Sequence, residues 1–414
     1  MPSKSMYSKL SAKLTASLDQ RKQANLLRER QLVDAVYGSH IHIDGKEYIN
    51  FSSNDYLGLR QTSELIKAQQ QAAKKYGVGS GSSPLVTGYS QAHQDLEQYL
   101  CELTGHHAAM VFTSGFSANH GLMSALFDKS DVVVADKLIH ASMIDGLRHS
   151  VAKLKRFKHN SVTDAERLLA SSEVTALVTE SVFSMDGDCA PLQALSDLCQ
   201  KYNVPLIVDD AHGFGVLGQT IGCAAKKLNI DIQIVTFGKA LGCQGAAILG
   251  SRQLIDYLSN HCRDYIYSTA LPPTSAAVAL KAVQLAVTES QRQTALFENI
   301  EYFRQRAGQL ELPILDSSTP IQGIKIGEPE QTLQLANLMK QDGLWVGAIR
   351  SPTVPVGTDR LRVTITAQHS RSDIDTCIEA LSKNHKQLTQ AAIHHGEQML
   401  AKGNGLAEGS DYAS

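Results

Sequence analysis

The sequence predicts an α/β protein, with a mainly parallel central sheet flanked by helices and a smaller C-terminal α+β domain. Two observations support this fold class. Short apolar runs alternate with amphipathic segments through the middle of the chain, and polar residues follow the ends of those runs. This alternation is typical of βαβ units, whose parallel strands are buried on both faces. A chain of 414 residues is long enough to build two such cores.

Five apolar runs predict the strands of the central sheet. Each run is bounded by Gly, Ser or Asp, and several are separated by amphipathic stretches such as residues 190–200. The runs are AAMVF (108–112), VVVA (132–135), ALVTE (176–180), PLIVDD (205–210) and IQIVTFG (232–238).

The C-terminal part of the chain has a different pattern. Residues 272–310 predict two successive helices, the second beginning near Gln293. Three further strands are predicted, with helices at about 330–342 and 371–385. These strands are IQGIKIG (321–327), LWVGAIR (344–350) and RLRVTITA (360–367).

These elements divide the chain into four predicted parts. They are an N-terminal helix and arm (1–50), a large domain (51–290), a small domain (291–385) and a polar tail (386–414). The tail is expected to be a frayed helix followed by disorder, because it is polar and ends in GNGLAEGSDYAS.

The composition argues against several classes of protein. Lys and Arg (39) nearly balance Asp and Glu (41), so no net field favours nucleic acid or an anionic membrane. No run approaches the ~20 apolar residues of a membrane helix. The N-terminus has no apolar signal core, and its first arginine is Arg21, so we expect an ordinary helix rather than a targeting peptide. Seven scattered cysteines without a C-x-x-C pair predict free thiols in a cytoplasmic protein and no metal site.

Chemically useful residues follow four of the predicted strands. SGFSAN (114–119) opens a helix whose N–H groups suit a phosphate, and ESVFSMDGD (180–188) brings Ser184. VDDAHGFG (208–215) and TFGKALG (236–242) bring an acid, a histidine and a lysine. Each motif alone is weak, since an aspartate after a strand is often a helix cap. Together they meet the needs of an aldehyde cofactor that carries a phosphate and a pyridine nitrogen.

With these motifs the chain resembles the α-oxoamine synthases, which are fold-type I pyridoxal-phosphate enzymes, from about residue 18 to 385. The resemblance rests on eight segments. They are FSSNDYLGL (51–59), GSGSSPLVTGYSQAHQDLE (79–97), TSGFSAN (113–119), TESVFSMDGD (179–188), VDDAHGFGVLG (208–218), TFGKALG (236–242), YSTALPP (267–273) and AIRSPTVPVGTDRLRVT (348–364).

The resemblance implies pyridoxal 5'-phosphate as the cofactor and gives residues roles around its ring. Lys239 forms the Schiff base and moves the α-proton of the substrate. Asp209 pairs with the ring nitrogen and keeps it protonated. His212 and Ser184 hydrogen-bond the ring hydroxyl, and His140 stacks on the ring face and contacts the substrate.

The resemblance also implies a phosphate region and a shared active site. Gly115, Phe116 and Thr236 bind the phosphate region, joined by Thr269 from the neighbouring subunit of a homodimer. For the substrate, it assigns three residues to the amino-acid carboxylate and two to further contacts. The carboxylate residues are Arg362, most directly, with Arg350 and Asn54, and the further contacts are Arg28 and Thr353.

Two segments narrow the expected reaction. Gly88-Tyr89-Ser90 and the run from Arg350 to Pro355 are most like the branch that condenses L-alanine with a pimeloyl thioester, carried by CoA or acyl carrier protein, in biotin biosynthesis. Ala240, Phe214 and Gln244 depart from the family pattern, and the last two are expected to shape the pocket. Two alternatives stay open. One is a sister synthase of the 2-amino-3-oxobutyrate or 5-aminolevulinate type that uses glycine or another acyl-CoA, and the other is a non-catalytic protein of this fold.

Overall fold

The N-terminal residues form a helix and three short strands in the computed structural model, which describes residues 4–171, 173–218, 228–351 and 353–407. The helix spans Lys4–Gln23, and the strands are β1 (Ala35–Tyr37), β2 (His40–Ile43) and β3 (Lys46–Asn50). Neighbouring strands pair antiparallel. The helix exposes its apolar side chains at positions 7, 10, 14 and 18, so that stripe has no cover from the described residues of this chain.

The central sheet has seven strands, of which six run in the same direction. In chain order they are β4 (Ala108–Phe112), β5 (Val132–Asp136), β6 (Lys153–Phe157), β7 (Ala176–Glu180), β8 (Leu206–Asp209), β9 (Ile232–Thr236) and β10 (Ala246–Gly250). Their spatial order is β4-β10-β9-β8-β7-β5-β6. Strand β10 is antiparallel to both of its neighbours, whereas the pairs among β5 to β9 are parallel. The predicted fold class, α/β with a mainly parallel sheet, is confirmed.

Helices cover both faces of this sheet. Alternate residues of β4, β9 and β10 belong to two different hydrophobic cores, as the two-residue period of a strand requires. A third core lies under the helices near β7 and β8. The helices of this part span Ser63–Tyr76, Gln91–Thr104, Gly115–Leu126, Ala141–Ser150, Val162–Ala170, Leu192–Tyr202, Arg252–His261, Arg263–Ile266 and Pro273–Thr288, with a short π-helical turn at Pro84–Gly88.

Two sheet strands were not predicted. Strand β6 reads KLKRF and lies at the sheet edge, where charged side chains are common because they discourage pairing with other chains. Strand β10 returns directly from β9 through residues 237–245 without a crossover helix, so it lacks the βαβ spacing on which the prediction depended. The other five strands lie within two residues of the predicted bounds.

The C-terminal part adds three helices and a small antiparallel sheet. The helices span Ser290–Gln309, Pro329–Gln341 and Arg371–Ala407. The strands are β11 (Ile321–Gly327), β12 (Leu344–Trp345), β13 (Gly347–Ile349) and β14 (Asp359–Thr364). Strands β11, β14 and β13 form one sheet, whereas β12 pairs with β3. The single strand predicted at 344–350 is therefore wrong, because the chain divides there between two sheets.

The last helix continues through much of the predicted polar tail, as far as Ala407. The disorder expected beyond it falls on residues 408–414, which lie outside the described residues. No helix in the described part of the chain is long and apolar enough to cross a membrane.

Candidate active site

The carboxyl ends of three neighbouring strands bring charged side chains together. Glu180 ends β7 and Asp209 ends β8, and the two residues are paired in register. Lys239 lies three residues after the end of β9. Glu180 and Asp209 are 3% and 4% exposed, and Lys239 is half-buried. Ligands of parallel α/β sheets bind at the carboxyl ends of the strands.

Lys239 has the properties of an amine that attacks a carbonyl group. Burial lowers the pKa of Lys239 to about 8, although the carboxylates of Asp209 and Glu180 oppose this effect. The cation of Arg362 lowers the pKa further. A lowered pKa leaves more neutral amine at physiological pH, and the neutral amine is the form that makes a Schiff base.

Asp209 is held by two donors at the end of its strand. Asn119 Nδ2 donates to Asp209 Oδ2 at 2.7 Å, and the backbone N–H of Ala211 donates to Asp209 Oδ1 at 3.0 Å. The next acid, Asp210, accepts instead from Ser181 Oγ at 2.5 Å and from Gln233 Nε2 at 2.8 Å. Of the two adjacent acids, Asp209 therefore lies beside Lys239, and Asp210 supports the strand ends beneath.

Glu180 is a site residue that sequence reasoning missed. Burial raises the pKa of Glu180 well above its usual range, and the charge of Asp209 beside it acts in the same direction. Its neutral form is thus favoured next to the anion of Asp209. Glu180 could have been found only by pairing the strand ALVTE with the strand that ends at Asp209. That pairing requires the register of two strands that are distant in sequence.

His212 is buried and faces a second residue that was missed, Tyr56. The Tyr56 hydroxyl lies 2.7 Å from His212 Nδ1. Burial lowers the pKa of His212 well below its usual range, and the cations of Lys239 and Arg362 act in the same direction, so the imidazole is neutral. Burial raises the pKa of Tyr56 to about 12, which keeps the phenol protonated.

His140 caps the helix Ala141–Ser150 with its own ring. The ring atom Nδ1 lies 2.7 Å from Ser142 Oγ and accepts from the Ser142 backbone N–H at 3.3 Å. Burial lowers the pKa of His140, although the charge of Asp209 opposes this effect. The sequence placed His140 in the site, and its electrostatic interaction with Asp209 and Lys239 agrees with that placement.

Two glycines and the start of a helix lie close to the hydroxyl of Thr236. Gly115 is the first residue of the helix Gly115–Leu126, whose first N–H groups have no partner within the helix. A Cβ atom added at Gly115 would lie 3.8 Å from Thr236 Oγ1, and one added at Gly238 would lie equally close. Both glycines therefore lie beside the threonine hydroxyl, with no side chain of the described residues between it and the start of the helix. Phe116 follows Gly115, with its ring 53% exposed.

These residues fit pyridoxal 5'-phosphate. Lys239 supplies the amine, Asp209 the carboxylate, and the helix that begins at Gly115 supplies N–H groups for the phosphate. Ser184 is half-buried in the turn after β7, and Thr269 is exposed before the helix Pro273–Thr288. Neither side chain hydrogen-bonds another predicted cofactor residue among those the structure describes, so their roles stay predictions.

Arg362 and Asn54 form a site for an anion near Lys239. Arg362 Nη2 donates to Asn54 Oδ1 at 3.3 Å, and the Tyr56 hydroxyl lies 3.3 Å from the same oxygen. Arg362 Nε is buried and has no hydrogen-bond partner among the described residues. An unpaired buried guanidinium N–H is costly, and a carboxylate is its natural partner.

The other predicted substrate residues form a second, separate group. Arg28 donates to Thr353 Oγ1 at 3.3 Å, and Arg350 donates to the carbonyl oxygen of Asn25. These side chains line a cavity of about 540 Å³ between the N-terminal arm and β13. Burial lowers the pKa of Arg350, and the nearby cation of Arg28 acts in the same direction. Arg350 lines this cavity, whereas Arg362, with which it was predicted to act, donates to Asn54 near Lys239.

Two of the three departures from the family pattern, Phe214 and Gln244, lie in different environments. Phe214 is 1% exposed and belongs to the main hydrophobic core, so its ring packs against other apolar side chains. Gln244 is exposed after the Lys239 turn. Neither residue removes a polar group from the site.

Comparison with known proteins agrees with this geometry. The family model described as aminotransferase class I and II matches residues 46–381. The chain is similar to an 8-amino-7-oxononanoate synthase of Vibrio parahaemolyticus, with 45% identity over 90% of this chain and 97% of the relative. It is 42% identical to the enzyme of that name from Vibrio atlanticus, over 92% of this chain and 96% of the relative.

Solved structures give the same result. A serine palmitoyltransferase from S. paucimobilis with a bound PLP-myriocin aldimine superposes with a TM-score of 0.85 at 27% identity, covering 92% of this chain and 98% of the other. An 8-amino-7-oxononanoate synthase from Francisella tularensis superposes with a TM-score of 0.73 at 30% identity, covering 82% and 98%.

A histidine between two acids supports the turn that carries Ser184. His159 Nδ1 lies 2.9 Å from Asp136 Oδ1 at the end of β5, and His159 Nε2 lies 2.7 Å from Asp188 Oδ2 in the turn. Gly187 in the same turn has φ +74°, and its carbonyl accepts from the hydroxyls of Ser317 and Thr319. Burial alone would lower the pKa of His159, but the two acids outweigh it and raise the pKa to about 9.

We expect His159→Gln to reduce stability in a pH-dependent way. The folded pKa of about 9 exceeds the ordinary value, so the ion pairs contribute fully below pH ~6.5 and are lost as the pH rises through 9. The variant should lose about 1–3 kcal/mol of unfolding free energy at pH 7 and much less at pH 10. Denaturant unfolding at both pH values measures this. His40→Gln is the control, because His40 lies 3.9 Å from Glu47 and Asp373, beyond hydrogen-bonding distance. An equal deficit at both pH values would contradict the expectation.

Proposed function

Because the chain belongs to the aminotransferase class I and II family and, within it, to the 8-amino-7-oxononanoate synthases, we propose that it joins L-alanine to a pimeloyl thioester with loss of CO₂. The observation that carries the proposal is the buried amine of Lys239, with a pKa lowered to about 8, next to Asp209. The enzyme is a pyridoxal-phosphate-dependent α-oxoamine synthase.

The bound cofactor supplies an aldehyde and an electron-withdrawing ring, and the protein supplies binding, orientation and proton transfer. Lys239 would hold the cofactor through Nζ, and the free amine would accept the α-proton of the amino acid. Asp209 would pair with the ring nitrogen, where its buried carboxylate would keep this nitrogen protonated. Neutral His212, with Ser184, binds the ring hydroxyl. Gly115, Phe116 and Thr236 bind the phosphate region.

The carboxylate of L-alanine binds Arg362 and Asn54 in this proposal. The unpaired Nε of Arg362 supports it, because a bound carboxylate would accept the hydrogen that the described residues leave unused. His140, whose ring interacts with the charges of Asp209 and Lys239, would contact the same substrate. This arrangement fixes the amino acid at its charged end, so that its α-carbon lies near Lys239.

The distal end of the pimeloyl chain binds in the cavity lined by Arg28, Arg350 and Thr353. Its volume of about 540 Å³ is sufficient for several methylene groups, and its three arginines outnumber the one acid of the lining, Glu29, which suits an acidic end. Both CoA and acyl carrier protein are compatible with this proposal as carriers of the thioester. A free carboxylate at the end of a seven-carbon acyl chain is the property that the cavity would recognise.

We further propose that the protein is a homodimer with shared active sites, located in the cytoplasm. Thr269 is exposed, and the flanking Tyr267 is 72% exposed, as expected of side chains that act in a neighbouring subunit. Val86 in the π-helical turn is 73% exposed, and it adds an apolar side chain to the surface proposed to contact the neighbouring subunit. Free cysteines in the described residues support a reducing compartment.

The first prediction from the proposed function concerns the covalent link between Lys239 and the cofactor. Purified protein loaded with pyridoxal phosphate should absorb visible light, and borohydride should abolish that band by reducing the Schiff base to Lys239. Lys239→Ala should lack a reducible band, since it removes the buried amine. Lys153→Ala on the exposed edge strand is the control and should keep the band. A reducible band that persists in Lys239→Ala would contradict the assignment.

The second prediction tests the substrates. Pimeloyl-CoA with L-alanine should exceed acetyl-CoA or succinyl-CoA with glycine in kcat/KM, because each buried CH₂ contributes about 0.8 kcal/mol. Arg28→Gln should raise the KM for pimeloyl-CoA about 10-fold or more, as expected for losing a hydrogen bond to a charged group, and leave the KM for L-alanine unchanged. Glycine turnover at a modest rate is compatible, since one methyl group gives only ~1–3 kcal/mol of discrimination. Faster reaction of glycine with a short acyl-CoA would exclude the proposed substrates.

The third prediction tests the shared site by mixing inactive subunits. Lys239→Ala removes the amine, and Thr269→Glu places a carboxylate where the partner's phosphate is proposed to bind. Random mixing should restore about a quarter of wild-type activity, because half of the dimers are mixed and each mixed dimer has one intact site. Each variant incubated alone is the control. An active monomer in sedimentation experiments would rule out the shared site.

A further inference from the structure

Two buried side chains without an assigned role connect Asp209 to His140. Asn119 Nδ2 lies 2.7 Å from Asp209 Oδ2 and 3.1 Å from Ser142 Oγ, and Ser142 Oγ lies 2.7 Å from His140 Nδ1. Asn119 is 3% exposed and Ser142 is fully buried. The two residues come from adjacent helices, Gly115–Leu126 and Ala141–Ser150.

The carboxylate of Asp209 fixes the orientation of the Asn119 amide. An ionised carboxylate only accepts hydrogen bonds, so the amide nitrogen and not the amide oxygen must face it. The second amide hydrogen then points to Ser142 Oγ. Asn119 Oδ1 is left buried without a hydrogen-bond partner among the described residues, at a cost of about 1–3 kcal/mol. Such a cost is expected where the donor side of a residue has a function.

The amide in turn sets the hydrogen bond between Ser142 and His140. Since Ser142 Oγ accepts from Asn119, its own hydrogen is available to His140 Nδ1. The backbone N–H of Ser142 also donates to Nδ1, at 3.3 Å. Two donors therefore meet this ring atom, which must be an acceptor. A neutral imidazole then carries its hydrogen on Nε2.

We propose that Asn119 and Ser142 are positioning residues: they orient the carboxylate of Asp209 and hold His140 in the tautomer with hydrogen on Nε2. His140 then presents a hydrogen-bond donor to the substrate. An amino-acid carboxylate, and a carbonyl oxygen that gains negative charge, are both stabilised by a fixed donor and repelled by a lone pair. The role toward substrate rests on the proposed function, whereas the tautomer is a property of the protein alone.

A purely structural role makes a different prediction. If Asn119 and Ser142 only packed the two helices together, Ser142→Ala would change stability and leave the ring of His140 as it is. Ser150→Ala provides the matched control, because Ser150 lies on the same helix and its hydroxyl donates only to the carbonyl of Leu147. The comparison isolates the hydroxyl that faces His140.

The test uses ¹⁵N-labelled histidine in the holoenzyme and in the protein without cofactor, with His140→Gln to assign the His140 signals. In the wild type and in Ser150→Ala, Nδ1 should give the shift of an unprotonated nitrogen and Nε2 that of an N–H. In Ser142→Ala and Asn119→Asp the two shifts should move part of the way toward each other, because only the longer hydrogen bond from the backbone N–H of residue 142 still favours an unprotonated Nδ1. Both variants should also lower kcat/KM for L-alanine by about 10- to 100-fold, with the KM for pimeloyl-CoA unchanged.

The outcomes separate the two levels of the inference. Unchanged His140 shifts in folded Ser142→Ala would overturn it, whatever happens to activity. Thermal unfolding of Ser142→Ala and Ser150→Ala establishes that these two variants are folded. If Asn119→Asp does not fold, the comparison of these two variants still decides the test. Changed shifts in a protein that does not condense L-alanine with pimeloyl-CoA would overturn the proposed function and support the positioning of His140.

Discussion

The burial of opposite charges at the carboxyl ends of the central strands is the constraint on which the rest of the site depends. Lys239, Asp209 and Glu180 lie within a low-dielectric environment, where an uncompensated charge is costly. The protein meets this cost by lowering the pKa of the lysine, favouring the neutral acid at Glu180 and giving two hydrogen-bond donors to Asp209. The same adjustments produce a reactive amine beside a fixed carboxylate. Stability and chemistry thus have one physical origin here.

Neutral hydrogen-bonding groups surround these charges and join distant parts of the chain. His212 meets Tyr56, and the carboxamide of Asn54 lies between Tyr56 and Arg362 of β14. Because burial keeps both the histidine and the phenol uncharged, Arg362 is left as the cation of this group. Strand β14 of the C-terminal sheet therefore brings Arg362 close to the carboxyl ends of the central strands. A substrate carboxylate would complete the charge balance.

Sequence reasoning placed residues together where they are near neighbours in the chain or lie just past a strand. Asp209 and His212 share one motif, and Lys239 lies three residues after the end of β9, so the structure brings these residues to the same strand ends. Tyr56 was missed because it is 156 residues from His212, and Asn119 is 90 residues from Asp209. Glu180 required the register of two strands. Strand β6 was missed because it lies at the edge of the sheet, where charged side chains are tolerated. Its sequence KLKRF therefore lacks the apolar run by which the other strands were predicted.

The turn after β7, which carries Ser184, is hydrogen-bonded to the segment that precedes β11. The carbonyl of Gly187 accepts hydrogen bonds from Ser317 and Thr319, which precede β11, and a side chain at Gly187 would collide with the carbonyl of Ile321. The turn and the start of β11 must therefore move as one body. A movement of the strands around β11 relative to the central sheet would therefore displace Ser184 with them. If Ser184 binds the ring hydroxyl as proposed, the colour of the bound cofactor would report that movement as an optical signal.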